Sequence, residues 1–352
     1  MKGFWLQLHL WLGLTLGALG IFIGATGSIL VYDHAIDAWL NPQRYAVSGA
    51  QVALPYAEYT ALASQAVSSA ARVVNLRLPE EDGMPITAIA RPREGSQFLR
   101  VYLDPATGKV LDAVPGGGFV GWIHRFHENL TLREYWGREV VGLVGVAMLI
   151  SALTGMYLWW PGRNRFRQAL GARPGLALSR NLHYLAGFYG SIVLALLSFT
   201  GIWLAYVQYV QPARIVQVQG SGGPTTVTLD AAVSTARALG AGASLVSVGL
   251  PTGPRGAYRV NLRGERGPLS VFVDPATGVV LRHTEPGGID RFLSVQRMLH
   301  TGTGFGFVGR LLLCLAGLLP ALLVTTGAIM WLRQRRSDVT LRRRVALTAG
   351  GG

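Results

Sequence analysis

The turn sequence LDPATGKV at residues 103–110 recurs almost unchanged as VDPATGVV at residues 273–280. Asp-Pro-x-x-Gly is typical of a tight turn between strands, and one copy would predict an ordinary hairpin. Other features recur at nearly the same spacing of 170 to 174 residues, and this near-constant offset predicts a tandem duplication. The matched features are His9 and His183, His127 and His300, Thr26-Gly27 and Thr200-Gly201, Thr154-Gly155 and Thr326-Gly327, and Gly137-Arg138 and Gly309-Arg310.

Four long runs of the sequence contain no Asp, Glu, Lys or Arg, namely residues 3–32, 140–162, 181–213 and 311–332. Each run has the roughly 20 residues that a membrane-spanning helix needs. We therefore expect an α-helical membrane protein with four transmembrane helices. Because transporters with alternating access use intramembrane carboxylates, the lack of acidic residues in the runs argues against that class.

The net charge of +14 is concentrated in the segment 161–180 and in the tail after Leu332. Basic residues that flank spans mark the cytoplasmic side of a membrane. This rule predicts a multi-pass protein with both termini in the cytoplasm and with the segments near 33–139 and 207–310 outside. Because the charge already has this topological role, we expect no nucleic-acid partner.

Each outside segment begins with a helix-like stretch, which is followed by alternating, β-branched stretches. The Asp-Pro-x-x-Gly turn would join the last long strand to a short final strand. The pattern predicts two α+β modules of about 60 residues, which are too small to be stable without the membrane or each other.

Each half of the chain thus consists of a span, an outside module and a second span, so the repeat is parallel. The first run is longer than the 7–15-residue core of a signal peptide, so we expect it to remain uncleaved. A continuous helix from the outer histidines through the next span would be longer than a bilayer requires, so a break is expected there. The predicted segments are the first span 1–34, module 35–116, outer histidine segment and second span 117–162, cytoplasmic basic loop 163–180, third span 181–210, module 211–286, outer histidine segment and fourth span 287–333, and cytoplasmic basic tail 334–352.

Four of the seven histidines fall in repeat-matched pairs. His9 and His183 lie near the inner ends of the first and third spans, whereas His127 and His300 precede the second and fourth spans on the outer side. A histidine inside a membrane needs a partner. Two at one depth on repeat-related helices would offer imidazole nitrogens to one iron from opposite sides, as bis-imidazole ligation of haem requires.

Other residues qualify this hypothesis. Gly13 and Gly187 follow their histidines by one helical turn and would let a flat macrocycle approach the backbone. A bare zinc or copper site is less suitable, because no carboxylate or thiolate is matched beside the pairs. The single cysteine, Cys314, rules out an internal disulfide and the Cys-x-x-Cys-His motif of covalent haem. The structural alternative is that the histidines cap helices, bond across helices or reach the headgroups.

The remaining candidates are secondary. His124 would be an alternative ligand, a substrate contact or a surface residue, and His34 an alternative outer ligand. Arg138 and Arg310 would pair with haem propionates, an anionic substrate or lipid headgroups. We assign the four Thr-Gly pairs to helix packing or flexing.

No nucleotide-binding loop, dinucleotide fingerprint or nucleophile elbow is present in the sequence. The cytoplasmic pieces are too short to hold a flavin or nicotinamide domain. Any electrons must therefore come from a separate donor or from membrane quinol.

The motifs LHLWLGLTLG…TGSILVY, FHENL…GREVVGLVG…TGMYLWWPGR, NLHYLAGFYGSIVLALLSFTGIWLAY and MLHTG…GRLLL…TGAIMWLRQRR resemble the PepSY-associated transmembrane-helix family. These are iron-regulated inner-membrane proteins of Gram-negative bacteria, including ferric-siderophore reductases. The resemblance implies periplasmic PepSY modules and a haem-b oxidoreductase that reduces ferric siderophore in the periplasm and releases Fe(II). The family's helix-borne histidines match His9, His127, His183 and His300, which implies two haems.

Two rival functions are left open by the sequence. In the first, the protein binds haem but reduces a periplasmic acceptor other than ferric siderophore. Reduction assays with ferric chelates and with non-iron acceptors would distinguish this function from siderophore reduction. A haem-free PepSY sensor or regulator would show no visible absorption, and its histidines would tolerate alanine.

Overall fold

The chain divides into two compact units, which we call the helical unit and the sheet unit. The computed structural model describes residues 1–67, 71–93, 97–160, 177–210, 218–265, 267–284 and 287–349. The helical unit comprises Met1–Tyr32, Ile123–Val210 and Val295–Gly352, and the sheet unit comprises Asp33–Trp122 and Gln211–Ser294. Most of the basic loop predicted at 163–180 lies outside the described residues.

The α-helices carry the long apolar runs of the sequence. They are α1 (Lys2–Leu14), α2 (Leu16–Leu30), α3 (Asp33–Leu40), α4 (Tyr56–Val67), α5 (Gly118–Asn129), α6 (Gly137–Trp159), α7 (Leu178–Val210), α8 (Leu229–Leu239), α9 (Gly288–Thr301) and α10 (Gly306–Ala349). Helix α6 and long parts of α7 and α10 are apolar and long enough to cross a bilayer, and α1 with α2 would form a fourth span. These helices indicate a membrane protein. Helix α10 continues through much of the basic tail that was predicted to follow the fourth span.

The first predicted span is bent rather than straight. Helices α1 and α2 meet at an angle of 53° around Thr15. The Thr15 hydroxyl donates a hydrogen bond of 2.7 Å to the carbonyl of Trp11, and such a bond to the preceding turn favours bending. Gly13 and Gly17 on either side weaken the local preference for a straight helix.

The predicted breaks between the outer histidines and their spans are confirmed. Helix α5 ends at Asn129, and Leu130 and Thr131 then take positive φ values of 53° and 60°. A short 3₁₀ turn at Arg133–Tyr135 precedes α6. In the second half, α9 ends at Thr301 and α10 begins after a turn.

Helices α2 and α10 pack closely because glycines face each other. A Cβ atom added at Gly317 would lie 2.7 Å from the carbonyl oxygen of Gly24. Beside this contact, the Ser28 hydroxyl donates a 2.7 Å hydrogen bond to the carbonyl of Cys314. Small residues and cross-helix hydrogen bonds are typical of helix packing in membranes.

The sheet unit contains one antiparallel sheet of eight strands in the order β4-β3-β2-β1-β5-β6-β7-β8. Its strands are β1 (Ala71–Arg77), β2 (Ile86–Pro92), β3 (Leu99–Leu103), β4 (Val110–Pro115), β5 (Ser244–Gly249), β6 (Tyr258–Gly264), β7 (Gly267–Val273) and β8 (Val280–Thr284). Strands β1 and β5 join the two halves, with Leu76 opposite Val248. Each half has one helix and four strands, but only β8 is a short final strand, since β4 (6 residues) is longer than β3 (5 residues). Hydrogen bonding to the other half provides the support that a small module needs.

One helix covers each half of the sheet. Tyr59 and Ala63 of α4 are fully buried over the first half, and Ala232 and Ala236 of α8 are fully buried over the second. In each pair the residues are one turn apart and so share a helix face. The Asp230 carboxylate at the start of α8 accepts hydrogen bonds from the first backbone N–H groups of α4. This capping links the two helices.

The duplicated Asp-Pro-Ala-Thr-Gly turns close the hairpins β3–β4 and β7–β8. In the second turn, Asp274 accepts 2.8 Å hydrogen bonds from the backbone N–H groups of Ala276 and Ser221. These donors hold the pKa of Asp274 below its ordinary value of 3.8. Gly278 takes a φ of 72°, which favours glycine.

The second turn predicts an acid-dependent contribution to stability. Because the pKa of folded Asp274 is depressed, its stabilisation is present above the ordinary pKa and is lost as pH falls through the folded pKa. Asp274→Asn should therefore lower the unfolding temperature by several degrees at pH 7 and by progressively less toward pH 3. Thermal unfolding of the full chain across this pH range is the measurement. Asp82→Asn, at an exposed position, is the matched control. A deficit of Asp274→Asn that stayed constant with pH would contradict this account.

Candidate functional site

The structure brings the four repeat-matched histidines together as two separate pairs. His9 of α1 and His183 of α7 have ring centroids 6.2 Å apart and ring planes at 85°. His127 of α5 and His300 of α9 also have centroids 6.2 Å apart, with planes at 46°. We call these the inner pair and the outer pair. Each pair therefore takes one histidine from each half of the chain.

Each ring of the inner pair is held at its Nδ1 atom by a neighbouring helix. Nδ1 of His9 lies 3.1 Å from the carbonyl oxygen of Ser151 and 3.1 Å from the hydroxyl oxygen of Thr154. Nδ1 of His183 lies 3.1 Å from the carbonyl oxygen of Leu323 and 3.0 Å from the hydroxyl oxygen of Thr326. A carbonyl oxygen only accepts, so Nδ1 of each ring must carry the proton. The neutral rings therefore keep the lone pair on Nε2 for a ligand.

The outer pair repeats this arrangement. Nδ1 of His127 lies 2.9 Å from the carbonyl oxygen of Ile23 and 3.3 Å from the hydroxyl oxygen of Thr26. Nδ1 of His300 lies 2.9 Å from the hydroxyl oxygen of Thr200, and the Leu197 carbonyl also accepts from it. Burial lowers the pKa of His127, and burial together with neighbouring His127 lowers that of His300 to about 4. The rings are therefore neutral at pH 7, which is the form that binds a metal.

The four threonines are those of the repeated Thr-Gly pairs, and the glycines complete the ring seats. A Cβ atom added at Gly27 would lie 2.9 Å from Cε1 of His127, and one at Gly155 would lie 3.0 Å from Cε1 of His9. The corresponding distances are 3.2 Å for Gly201 and His300 and 3.3 Å for Gly327 and His183. The assignment of these pairs to helix packing or flexing was therefore incomplete. Thr26 and Thr200 each follow a histidine by 17 residues, and this regularity was the available signal.

The two pairs fit a haem iron better than a bare metal ion. Ring centroids 6.2 Å apart leave room for one ion bound to an imidazole nitrogen on each side at about 2 Å. Within the described parts of the chain, no group of three or more His, Cys, Asp or Glu side chains could hold a metal. A two-imidazole set suits an iron whose other ligands come from a macrocycle.

The space around the inner pair is consistent with a flat ligand. A Cβ atom added at Gly13 would meet no protein atom within 4 Å, and one at Gly187 would meet only Leu323. Both positions lie one turn from a histidine of the inner pair. The helix surface beside His9 is therefore open, whereas beside His183 a side chain would be in ordinary contact with Leu323.

The alternative and supporting residues occupy other positions. His124 lies one turn before His127 in α5, and His34 is an exposed residue of α3 in the sheet unit. Arg138 forms a partly exposed ion pair with Glu128, with the charged atoms 3.6 Å apart. Arg310 lies in the first turn of α10 and is partly buried. The inner and outer pairs are formed by His9 with His183 and by His127 with His300.

One residue near the outer pair was missed in the sequence. Gln296 lies one turn before His300 in α9 and is only 5% exposed. Its side-chain oxygen has no hydrogen-bond partner among the described residues. The matched position in the first half is buried Ile123, so this polar group belongs to one half only. A glutamine in a mixed sequence such as LSVQRMLH carries no signal of burial by itself.

A family model described as the PepSY-associated TM region matches residues 6–334. The chain belongs to the PepSY-associated TM region family. The match includes all four paired histidines and their Thr-Gly seats, so the site lies within the part shared with the family. No curated protein matches the sequence at a significant level.

Proposed function

We propose that the protein is a haem-b reductase of the bacterial inner membrane. It passes electrons across the membrane to ferric siderophore in the periplasm, which then releases Fe(II). The single observation that carries this proposal is the pair of matched histidine sites, each with rings 6.2 Å apart and with Nε2 left for a ligand. Family membership and the apolar helices support the membrane setting.

The inner pair would hold one haem and the outer pair a second. When bound, haem supplies a one-electron Fe(III)/Fe(II) couple. The chain's own contribution is to fix each ring through Nδ1, as Ser151 and Thr154 do for His9. Such outer contacts set the ring orientation and the basicity of the ligating nitrogen. The apolar helices exclude water and keep the dielectric low around both sites.

The direction of transfer follows from the proposed topology. With both termini in the cytoplasm, His9 and His183 lie toward the cytoplasmic side and His127 and His300 toward the periplasmic side. An electron from membrane quinol or another donor would reach the substrate by way of the groups that the inner pair and the outer pair would hold. One electron converts one ferric ion of the substrate to Fe(II), which hard oxygen ligands hold less strongly than Fe(III).

The two halves of the sheet unit are proposed to be periplasmic PepSY modules. Each half consists of a helix and four antiparallel strands, as the family resemblance implies. The basic residues of the loop 163–180 and of the tail support placing the sheet on the opposite side of the membrane.

Visible spectroscopy of the purified full-length protein tests this function. The oxidised and dithionite-reduced spectra should be those of a b-type haem, and pyridine haemochrome analysis should give two haems per chain. Addition of a ferric chelate to the reduced protein should reoxidise the haem and form Fe(II), as measured with a ferrous-specific dye. Protein made with ample haem supply that contains no haem would reject the proposal in favour of a PepSY sensor. Reoxidation by non-iron acceptors but not by ferric chelates would point to a different acceptor.

A further inference from the structure

The sheet unit contains a groove beside the junction of β1 and β5. These strands pair from Asn75 opposite Gly249 to Arg77 opposite Ser247. The groove has a volume of about 840 Å³, which lies within the range of small-ligand sites. Its lining includes Arg72, Arg91, Arg93, Pro251, Thr252 and Tyr258.

The floor and one wall of the groove are held by defined contacts. Buried Val73 and Tyr258 contribute to the floor. The guanidinium of Arg72 donates a 2.8 Å hydrogen bond to the carbonyl of Pro251 and so joins the two halves of the sheet. The guanidinium of Arg91 lies over the ring of Phe98, 5.6 Å from its centroid. Two of the three arginines are therefore oriented by the protein itself.

The charged side chains among the described residues that line the groove are Arg72, Arg91 and Arg93. No Asp or Glu occurs among the described residues that line it. Across the part of the chain that the structure describes, none of the ion pairs includes Arg72, Arg91 or Arg93. Guanidinium groups bind carboxylates through paired hydrogen bonds. The groove is thus suited to a ligand with several carboxylates.

The second half of the sheet provides an internal comparison. Residues that are 172 positions apart make equivalent hydrogen bonds. The Leu78 N–H donates to the Val246 carbonyl, and the Leu250 N–H, 172 positions after Leu78, donates to the Val74 carbonyl, each at 2.9 Å. By this correspondence, Arg72, Arg91, Arg93 and Thr252 match Ser244, Arg263, Glu265 and Glu80.

The matched corner is less basic at these four positions. Arg263 lies 3.3 Å from the carboxylate of Glu80 in an ion pair, and Glu265 adds a second acid. These positions carry three arginines on the groove side against one arginine and two glutamates in the corner, while the next position along the chain is Glu94 in the first half and Arg266 in the second.

We propose that this groove binds an anionic ferric chelate whose ligands are carboxylates, of the citrate type. The inference rests on the proposed function for the identity of the metal, and it narrows the substrate class to chelates that carry negative charge. Arg72, Arg91 and Arg93 bind the carboxylates, while Thr252 and the apolar floor contact the remainder of the chelate.

The test is a calorimetric titration of the purified full-length protein with Ga(III)-citrate. Gallium(III) matches ferric iron in charge and is not reduced, so binding is measured independently of electron transfer. We expect saturable binding that weakens with added NaCl. Arg72→Ser, which introduces the residue of the matched corner, should weaken binding about five- to tenfold through loss of a charged hydrogen bond. Arg93→Glu should weaken it further because it reverses the charge.

The matched control is Arg263→Gln, which changes the corresponding arginine of the other half and should leave the affinity unchanged. An uncharged gallium trihydroxamate and inorganic phosphate should bind at least tenfold more weakly than Ga(III)-citrate. Equal affinity of the wild type and Arg93→Glu would overturn the proposal, as would equally tight binding of the trihydroxamate or of phosphate. If protein without haem still binds Ga(III)-citrate with this pattern of variants, the groove assignment stands and the reductase function fails. If haem is present and ferric chelates are reduced but the variants bind normally, only the groove assignment fails.

Discussion

Alanine at His9 is expected to leave the protein with one haem per chain instead of two, and alanine at His127 should remove the other. The two pairs share no residue, and each lies with its rings 6.2 Å apart on its own set of helices. Loss of one axial imidazole leaves its partner as the only protein ligand, so the affinity for that haem should fall by orders of magnitude. The double variant should contain none. Pyridine haemochrome analysis provides the count.

The matched control is His283→Ala, which removes an exposed histidine of β8 that belongs to neither pair. Paramagnetic resonance of the ferric protein gives an independent measurement, because the angle between two axial imidazoles affects the signal of low-spin iron. Ring planes at 85° and 46° should give two distinct signals, and each single variant should remove one of them. Retention of both haems in His9→Ala and in His127→Ala would reject the ligand assignment.

The second large effect is expected from filling a ring seat. In Gly27→Val, the new Cβ would lie 2.9 Å from Cε1 of His127, closer than carbon atoms approach without displacement. The ring must then move away from the Ile23 carbonyl that orients Nδ1. We expect loss of the outer haem with the inner haem retained, although no ligand has been changed. Haem content and the resonance signal of the outer site are the measurements.

Gly3→Val is the matched control for this variant, because a Cβ at Gly3 in α1 would meet nothing within 4 Å. It should leave both haems in place. Gly155→Val should have the reciprocal effect, since the Cβ there would lie 3.0 Å from Cε1 of His9. If Gly27→Val kept full haem content with an unchanged outer signal, the glycine would have only a packing role.

Much of the fold is predictable because the spans, strands and turns are encoded by local patterns. The apolar runs and the alternating stretches need only neighbouring residues to be recognised. The bend at Thr15 was not predicted, because it depends on one hydroxyl that bonds to the preceding turn. The joining of both modules into one sheet depends on the pairing of β1 with β5, which are far apart in the sequence. The only indication of this pairing in the sequence was that each module is too small to be stable by itself.

The candidate site was predictable in part for the same reason. The duplication allowed His9 to be compared with His183 and His127 with His300, which distinguished these four candidate ligands from the other histidines. The seats were not recognised, because His9 contacts a threonine that lies 145 positions further along the chain. The arginines of the groove alternate with apolar residues along exposed strand faces, and in the sequence they resemble any solvated surface of a sheet.

The central pairing of β1 with β5 has a consequence for biosynthesis. Strand β1 is complete by Arg77, but its partner begins only at Ser244, after α6 and α7 have been made. Until then, β1 pairs with β2 on one side only, and its open edge is prone to pair with other chains. The first half of the sheet must therefore wait for two membrane insertions before it can be completed. A chain truncated after α7 should form aggregates, whereas the full chain pairs β1 with its own β5.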